Sequence, residues 1–277
     1  MGSTVIEKTC ICGEKFTATI WTRPDGSHTS AYEKCQNCRQ IDSHNERKEK
    51  AQAKLEEIAE DQMSRWQEDS NVPGKFLSKT FANFDKALQP KAFEATKNLQ
   101  WFWDEALDVP AKSLVLLSPG VYGVGKTHLV CALVNQILET EDKATLREDL
   151  SISKHRCPVY LVSETELLRR IRRTFDGNSR ETEGGIYHEL SRFALLIIDD
   201  VGKVRPRDLN FLQSVYFGII NQRYNDQSPI VLTTNLDFAD LEGYIGGANA
   251  DRLVEMAGKG GFIKMTGKSY RGHKERN

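Results

Sequence analysis

The sequence lacks any long apolar run, and it carries almost no net charge. No apolar stretch approaches the ~20 residues that a membrane-spanning helix needs. Val5 and Ile6 are followed at once by Glu7 and Lys8, so the N-terminus shows no signal-peptide core. The formal net charge is −1 over 277 residues, which excludes a strong basic field over the whole molecule. We therefore expect a soluble, cytoplasmic protein that could bind nucleic acid only through local patches.

Cysteine is also scarce, and it is unevenly placed. The chain has six cysteines, and four of them lie within the first 38 residues. These four are Cys10, Cys12, Cys35 and Cys38. In a chain without an export signal, such clustering favours a metal over disulfides, and two pairs of thiolates suit a tetrahedral, structural Zn²⁺. Two alternatives stay open: His28 or His44 replaces one cysteine as a ligand, or the four thiols are reduced and bind nothing.

The composition divides the chain into three regions. Residues 1–42 are predicted to form a zinc ribbon, in which Lys15–Trp21 alternates like a strand. Residues 43–71 contain no proline or glycine and predict a charged helical linker with one narrow apolar stripe. The stripe consists of Leu55, Ile58, Ala59, Met63 and Trp66. Periodicity does not separate a plain linker from a helix that docks on a partner. Residues 72–277 form the large domain.

The large domain alternates apolar runs with helical patterns from Leu114 onward. The predicted strands are 114–118, 158–163, 194–198, 229–234 and 261–265. Near-continuous apolar runs are typical of parallel strands that are covered on both faces. The sequence therefore predicts an α/β fold with a five-stranded parallel sheet. Residues 139–156 are polar and charged, and we expect a surface loop there.

A phosphate-binding loop follows the first of these strands. Residues Gly120–Thr127 read G-x-x-x-x-G-K-T, between an apolar strand and a helix that begins near Lys126 and continues through His128. Glycines 120, 123 and 125 leave room for backbone N–H groups to surround phosphate oxygens. Lys126 would reach the β- and γ-phosphates, and Thr127 would ligate Mg²⁺. His128 completes the predicted nucleotide-binding set. The alternative is a glycine-rich surface turn that matches by chance. The flanking strand and helix favour a nucleoside triphosphate site.

Polar residues end two later strands. Five apolar residues lead into Asp199 and Asp200, so Asp199 is predicted to hold Mg²⁺ beside Thr127. Asp200 is placed to polarise the attacking water, and its side chain is one methylene shorter than the glutamate that most such ATPases use. The sequence thus predicts slow, regulated hydrolysis. Asn235 ends the next strand and could contact the water or the γ-phosphate. The alternative for Asn235 is a cap on the following turn.

The ordered set of motifs resembles the DnaC/DnaI/IstB group of AAA+ ATPases over about residues 72–273. The matching segments are 72–76, 80–84, 120–127, 199–202, 220–224, 233–235, 251–253 and 269–271. The resemblance implies an AAA+ core without the usual C-terminal helical lid. It also implies that Arg252 is an arginine finger acting on a neighbour's nucleotide and that Arg271 is the sensor-2 arginine. The cysteine layout and helix resemble the N-terminal part of DnaI-type helicase loaders, which contacts the replicative helicase.

Arginines crowd one predicted helix after the second strand. Arg169, Arg170, Arg172 and Arg173 occupy four of five consecutive positions. In the loader branch of the family, an element at this place contacts single-stranded DNA. The resemblance therefore implies phosphate contacts from these arginines, which would be sensitive to salt and largely independent of base sequence. A solvated helix face is the competing interpretation.

Three functional hypotheses follow. The first is an ATPase that loads a DnaB-type replicative helicase onto single-stranded DNA, in a bacterium or a phage, through a head-to-tail homo-oligomer. The second is an IstB-type regulator of DNA transposition. The third is a zinc-ribbon nucleic-acid adaptor in which nucleotide only switches conformation. Fold alone does not choose among them. The sequence also leaves open the number of protomers and whether they form a ring or a spiral.

Overall fold

The computed structural model describes residues 3–29, 32–102, 104, 109–177, 179–205 and 207–270. The chain forms two compact units. The first comprises Met1–Gln62 together with Ala144–His155, and the second comprises Met63–Lys143 and Arg156–Asn277. None of the helices in the described ranges is both long and apolar enough to cross a membrane.

The first unit begins with a β-hairpin. Strand β1 (Ser3–Thr9) pairs antiparallel with β2 (Lys15–Trp21), which confirms the predicted strand. The turn between them carries Gly13 at φ +89°, and it is closed by a hydrogen bond from the Gly13 N–H to the Cys10 carbonyl at 2.8 Å. Helix α1 spans Gln36–Asp69, so it begins seven residues before the predicted linker, at Gln36 and not at residue 43. The early start places Cys38 inside the first helical turn.

Helix α1 buries the stripe that the sequence predicted. Leu55, Ile58 and Ala59 are half-buried on the part of α1 that belongs to the first unit. Farther along, Trp66 is buried in the core of the second unit, and Met63 packs against that core. Most of the polar residues between them stay exposed, which is the pattern of an amphipathic helix; Gln62 is the buried exception.

A second hairpin interrupts the expected surface loop at 139–156, so that expectation is wrong. Strand β4 (Ala144–Leu146) pairs antiparallel with β5 (Ile152–Lys154). The Asp149 carboxylate accepts hydrogen bonds from the backbone N–H and the hydroxyl of Ser151, which tightens the turn. The Gln62 side-chain amide donates to the His155 carbonyl at 2.9 Å, within the first unit. The strands are only three residues long and mostly buried or half-buried, and so short a run has no pattern that distinguishes it from a loop.

The second unit is built on the predicted five-stranded parallel sheet. Its strands are β3 (Leu114–Leu117), β6 (Val159–Ser163), β7 (Leu195–Val201), β8 (Ile230–Thr234) and β9 (Phe262–Lys264). They lie in the order β6-β7-β8-β3-β9, and every neighbouring pair is parallel. Residues of β3 alternate between two cores: Leu114 and Leu116 face one, Val115 and Leu117 the other. The sheet is therefore covered on both faces.

Helices cover the two faces unequally. Helices α2 (Pro90–Lys97) and α3 (Lys126–Thr140) contribute to the core on one face. The core on the other face draws on five helices. These are α4 (Glu164–Arg173), α5 (Glu183–Ser191), α6 (Leu209–Asn225), α7 (Phe238–Ile245) and α8 (Gly247–Ala257). This arrangement brings the carboxyl ends of β3, β7 and β8 to one edge, where ligands of open α/β sheets bind.

Arg223 of α6 is a buried cation that joins loops at the opposite end of the strands. Its side chain is 1% exposed. The guanidinium N–H groups donate to four backbone carbonyls, at 2.8 to 3.2 Å. The four carbonyls belong to Leu190, Phe193, Ala194 and Pro229. Burial lowers the pKa of Arg223 to about 10, so the side chain remains protonated at neutral pH.

Candidate functional site

The phosphate-binding loop lies in the strand–loop–helix context that the sequence predicted. It leaves β3 after Leu117 and enters α3 at Lys126. Gly120, Gly123 and Gly125 all have positive φ, at +64°, +72° and +99°. A Cβ on Gly125 would lie 2.6 Å from the Phe84 ring, so this position tolerates neither the strain nor the volume of a side chain. The loop therefore has the backbone that a phosphate cradle requires.

Lys126 and Asn235 come from separate motifs, and the fold brings them together. Lys126 is 6% exposed, and its ammonium donates to Asn235 Oδ1 at 2.6 Å and to the Ser118 hydroxyl. The backbone carbonyl of Asn235 accepts from the Gly120 N–H at 3.3 Å. Asp237, and not Asn235, caps the next helix, because its side chain accepts from the Asp240 N–H. Asn235 thus contacts both ends of the phosphate loop.

Thr127 and Asp199 also meet, as the magnesium prediction requires. The Thr127 hydroxyl donates to Asp199 Oδ2 at 2.9 Å, and the Thr233 hydroxyl donates to Oδ1 at 2.5 Å. Asp199 is 7% exposed, and burial raises the pKa of its carboxyl group. A hydroxyl and a carboxylate oxygen side by side form a donor set that fits Mg²⁺. These two residues would hold the ion.

A β-bulge separates the roles of the two aspartates. Ile198 pairs with Leu232 and Val201 pairs with Thr234, so two residues of β7 stand opposite Thr233 alone. Asp200 takes φ +60°, and its N–H donates to the Thr233 hydroxyl at 3.0 Å. Its carboxylate is about one-third exposed and lies 3.3 Å from Lys203 Nζ. Asp199 therefore points into the fold, whereas Asp200 is available at the edge. Neither Thr233 nor Lys203 stood out in the sequence as a partner of Asp200.

His128 contacts the segment that precedes the sheet. Its Nε2 lies 3.1 Å from the Thr80 carbonyl, and its ring packs edge-on against Phe84 at 5.1 Å between centroids. Burial lowers the pKa of His128. Tyr270 reaches the same region, since its N–H donates to the Gly123 carbonyl at 2.9 Å. The contacts of His128 therefore hold residues 80–84 beside the loop.

Of the two predicted catalytic arginines, Arg252 and Arg271, the structure describes only Arg252. Arg252 is half-exposed on α8, where its guanidinium lies 5.4 Å from the Phe217 ring and 5.9 Å from the Tyr224 ring. Its Nη1 donates to the Ala248 carbonyl at 3.1 Å. Within the described ranges, no hydrogen bond or ion pair joins Arg252 to the phosphate loop. Arg271 lies outside the described residues.

The arginine helix has three exposed arginines, of which Arg169 lies 3.9 Å from the Glu166 carboxylate, and one arginine that two carboxylates hold. Arg169, Arg172 and Arg173 are exposed and line a groove of about 490 Å³. Arg170 instead forms ion pairs with Glu181, at 2.5 Å, and with Glu189. Two carboxylates thus already bind the Arg170 guanidinium, whereas the other three arginines are open to the groove.

The four N-terminal cysteines converge in the first unit. Their Sγ atoms all lie within 4.8 Å of one another, and Cys12 Sγ is 3.7 Å from Cys35 Sγ. A tetrahedral zinc with Zn–S bonds of about 2.3 Å separates its sulfurs by roughly 3.8 Å, so the arrangement fits this ion. Backbone N–H groups of Cys12 and Cys35 lower the pKa of Cys10 to about 6, which favours the thiolate. Among the described residues, neither His28 nor His44 belongs to the cluster.

Comparisons with known proteins agree with this geometry. A family model described as IstB-like ATP binding protein matches residues 56–277. The replicative helicase loader DnaC of Buchnera aphidicola subsp. Acyrthosiphon pisum is 25% identical over 134 residues, or 48% of each chain. The corresponding protein of Buchnera aphidicola subsp. Baizongia pistaciae is 27% identical over 135 residues, also 48% of each chain. The matches thus span about half the length of these curated relatives.

Solved structures show the same fold. A crystal structure of DnaI aligns with a TM-score of 0.51 at 19% identity, over 71% of this chain and 95% of that one. A crystal structure of the DnaC helicase loader aligns with a TM-score of 0.51 at 20% identity, over 70% of this chain and 100% of that one. The predicted AAA+ fold is therefore confirmed.

Proposed function

Since the chain belongs to the family of IstB-like ATP-binding proteins, we propose that it is an ATP-dependent loader of a DnaB-type replicative helicase. In this proposal it places the helicase on single-stranded DNA, in the cytoplasm, when replication begins. The observation that carries the ATP-dependent part is the meeting of Lys126 with Asn235 beside the Thr127–Asp199 pair. The names of the curated relatives support the loading part.

Each residue of the site would have a separate role in ATP hydrolysis. Lys126 and the loop amides would bind the phosphates, and Asn235 would release Lys126 Nζ to them. Bound Mg²⁺ supplies positive charge that offsets the phosphate oxygens. Asp200 would orient the attacking water at the edge of the sheet, and Arg252 would complete the site of a neighbouring protomer. The Asp200 side chain is short, and its carboxylate forms an ion pair with Lys203. We therefore expect slow turnover that DNA or the partner stimulates.

The cysteine unit is the proposed contact for the helicase. The family model begins at residue 56, so it does not cover the four cysteines. Several large apolar side chains of this unit are exposed, among them Ile11 at 89% and Trp21 at 53%. Zinc would stabilise the ribbon that presents them. We infer that these exposed apolar side chains, one in the turn and one at the far end of the hairpin, contact the helicase.

Replacing Ile11 and Trp21 together by serine should abolish binding of a DnaB-type hexamer. The reason is that both side chains lie on the proposed contact and are more than half exposed. Size-exclusion chromatography with light scattering would detect the complex of the parent protein. Leu88→Ser is the matched control, since Leu88 is 55% exposed on the second unit. An intact complex with the double variant would refute this contact, and zinc content and ATP hydrolysis should stay unchanged.

The exposed arginines predict a specific salt dependence for DNA binding. Replacing Arg169, Arg172 and Arg173 by alanine should weaken binding of an oligothymidylate and lower the slope of log K against log salt by about 2. Fluorescence anisotropy at several salt concentrations measures both. The control replaces three lysines by alanine, which removes the same amount of positive charge. They are Lys91, Lys112 and Lys259, which are exposed elsewhere in the second unit. An equal loss with the control would show that net charge alone acts.

The second candidate function is regulation of DNA transposition by an IstB-type ATPase. The description of the matching family favours it. Tight binding to duplex DNA, together with failure to bind a DnaB-type helicase, would support this alternative. A stable helicase complex would support the loader.

A further inference from the structure

Glu164, the first residue of α4, is a buried carboxylate that the nucleotide site does not include. Its side chain is 0% exposed. Oε1 accepts the Tyr216 hydroxyl at 2.6 Å, and Oε2 accepts the Tyr244 hydroxyl at 3.0 Å. Oε2 also accepts the backbone N–H groups of Gly202, at 3.0 Å, and Val204, at 3.4 Å. Three of these donors share Oε2, and the Tyr244 hydroxyl also lies 2.9 Å from the Val204 carbonyl, so the carboxylate and Tyr244 meet the same loop. Burying a carboxylate among neutral donors costs free energy. The hydrogen bonds that Glu164 makes to this loop therefore have to offset that cost.

The loop that Glu164 holds is the one that follows Asp200. Gly202 takes φ +83°, and a Cβ there would lie 2.5 Å from the Leu236 side chain. Asp200 takes φ +60°, a conformation that costs about 1 kcal/mol or more for a residue with a side chain. Such a conformation persists only where surrounding contacts impose it. Glu164 supplies two of these contacts at Gly202 and Val204, and Thr233 supplies another at Asp200 itself.

The helix that Glu164 begins is the one that carries the exposed arginines. Leu167, Leu168 and Ile171 bury the other face of α4 in the core. Ser163, just before Glu164, pairs with Asp199 in the sheet and caps the helix by accepting the Glu166 N–H. A helix of ten residues is a rigid rod of about 15 Å. A displacement at the arginines therefore reaches Glu164 within the same element.

We propose that Glu164 is a positioning residue for ATP hydrolysis, which fastens the Asp200 loop to the first turn of α4. Nucleic acid bound to Arg169, Arg172 and Arg173 then changes turnover by shifting this turn. The second statement rests on the proposed function, because it needs DNA at those arginines. The first statement depends only on ATP hydrolysis.

The Glu164→Gln variant separates positioning from binding. The substitution keeps the size of the side chain but turns one acceptor oxygen into a donor amide, which faces donors it cannot satisfy. Turnover without DNA should fall about tenfold to a hundredfold, since small misplacements of catalytic groups have such effects. Affinity for an ATP analogue and for oligothymidylate should stay within about twofold of the parent. The ratio of turnover with and without oligothymidylate should fall toward one. Glu183→Gln is the control, because Glu183 accepts a Tyr187 hydroxyl at 2.6 Å away from this loop.

Parent-like turnover and stimulation in Glu164→Gln would overturn the proposal. Should that variant not fold, Tyr244→Phe removes one donor to the carboxylate together with the contact of the same hydroxyl to the Val204 carbonyl. We expect a smaller loss of turnover from it, again with unchanged affinity for the ATP analogue. Tyr244→Phe with parent-like kinetics would then overturn the proposal. If the parent protein itself does not bind oligothymidylate, the proposed DNA function fails, and turnover without DNA still decides the role of Glu164.

Discussion

Lys126→Ala and Arg252→Ala should each lose ATP hydrolysis, whereas an equal mixture of the two variants should regain activity. Lys126 lies in the phosphate loop, and its removal should also weaken nucleotide binding. Arg252 lies on aromatic rings of α6 and makes no described bond to that loop. A cation supplied by a neighbouring protomer is worth about 10³-fold or more in rate. We therefore expect nearly complete losses from both single substitutions.

The mixture tests whether the site is shared. In a head-to-tail assembly, a site is active when one protomer keeps Lys126 and its neighbour keeps Arg252. Random mixing then restores about one-quarter of the sites. Phosphate release measured across mixing ratios should pass through a maximum near equal amounts. Arg192→Ala, an exposed arginine on the same unit, is the control and should keep full turnover. A mixture no more active than its components would contradict the shared site.

Arg223→Met should lower the free energy of unfolding of the second unit by about 3–5 kcal/mol. The substitution leaves the carbonyls that Arg223 now binds without donors in a buried place, and each such group costs about 1–3 kcal/mol. Arg223→Lys should recover only part of the loss, because an ammonium cannot reproduce the planar fork that reaches four carbonyls.

Urea unfolding followed by fluorescence measures this loss. Trp66 is buried in the second unit and reports on it. Arg192→Met is the matched control and should change the free energy by less than about 0.5 kcal/mol, since surface substitutions rarely do more. If Arg223→Met also lowers the free energy of unfolding by less than about 0.5 kcal/mol, the prediction is wrong, and the four carbonyls find other hydrogen-bond donors.

The sequence predicted those parts of the site that depend on the order of the strands. Parallel strands bring their carboxyl ends to one edge, so Lys126, Asp199 and Asn235 had to converge once the strands were correctly placed. The five apolar runs were long enough to place them. The cysteine cluster was predictable for a similar reason, because its spacing alone suits one tetrahedral ion.

Other parts depend on contacts that no spacing encodes. Arg170 and Arg223 look like ordinary helical arginines, and only the packing of α5 and of the loops before β7 and β8 shows what they bind. The bulge at Asp199 and Asp200 arises from pairing between β7 and β8, which sequence periodicity does not reveal. The short, polar strands β4 and β5 escaped prediction because a three-residue strand contains too little alternation to detect.

The chain crosses between its two units three times, since residues 144–155 return to the unit formed by 1–62. A fragment that starts at Met63 would therefore not be a clean ATPase core. It would keep the β4–β5 hairpin but lose Gln62, whose amide binds the His155 carbonyl. Separating the two units cleanly means excising the hairpin as well and joining Lys143 to Arg156 by a short turn.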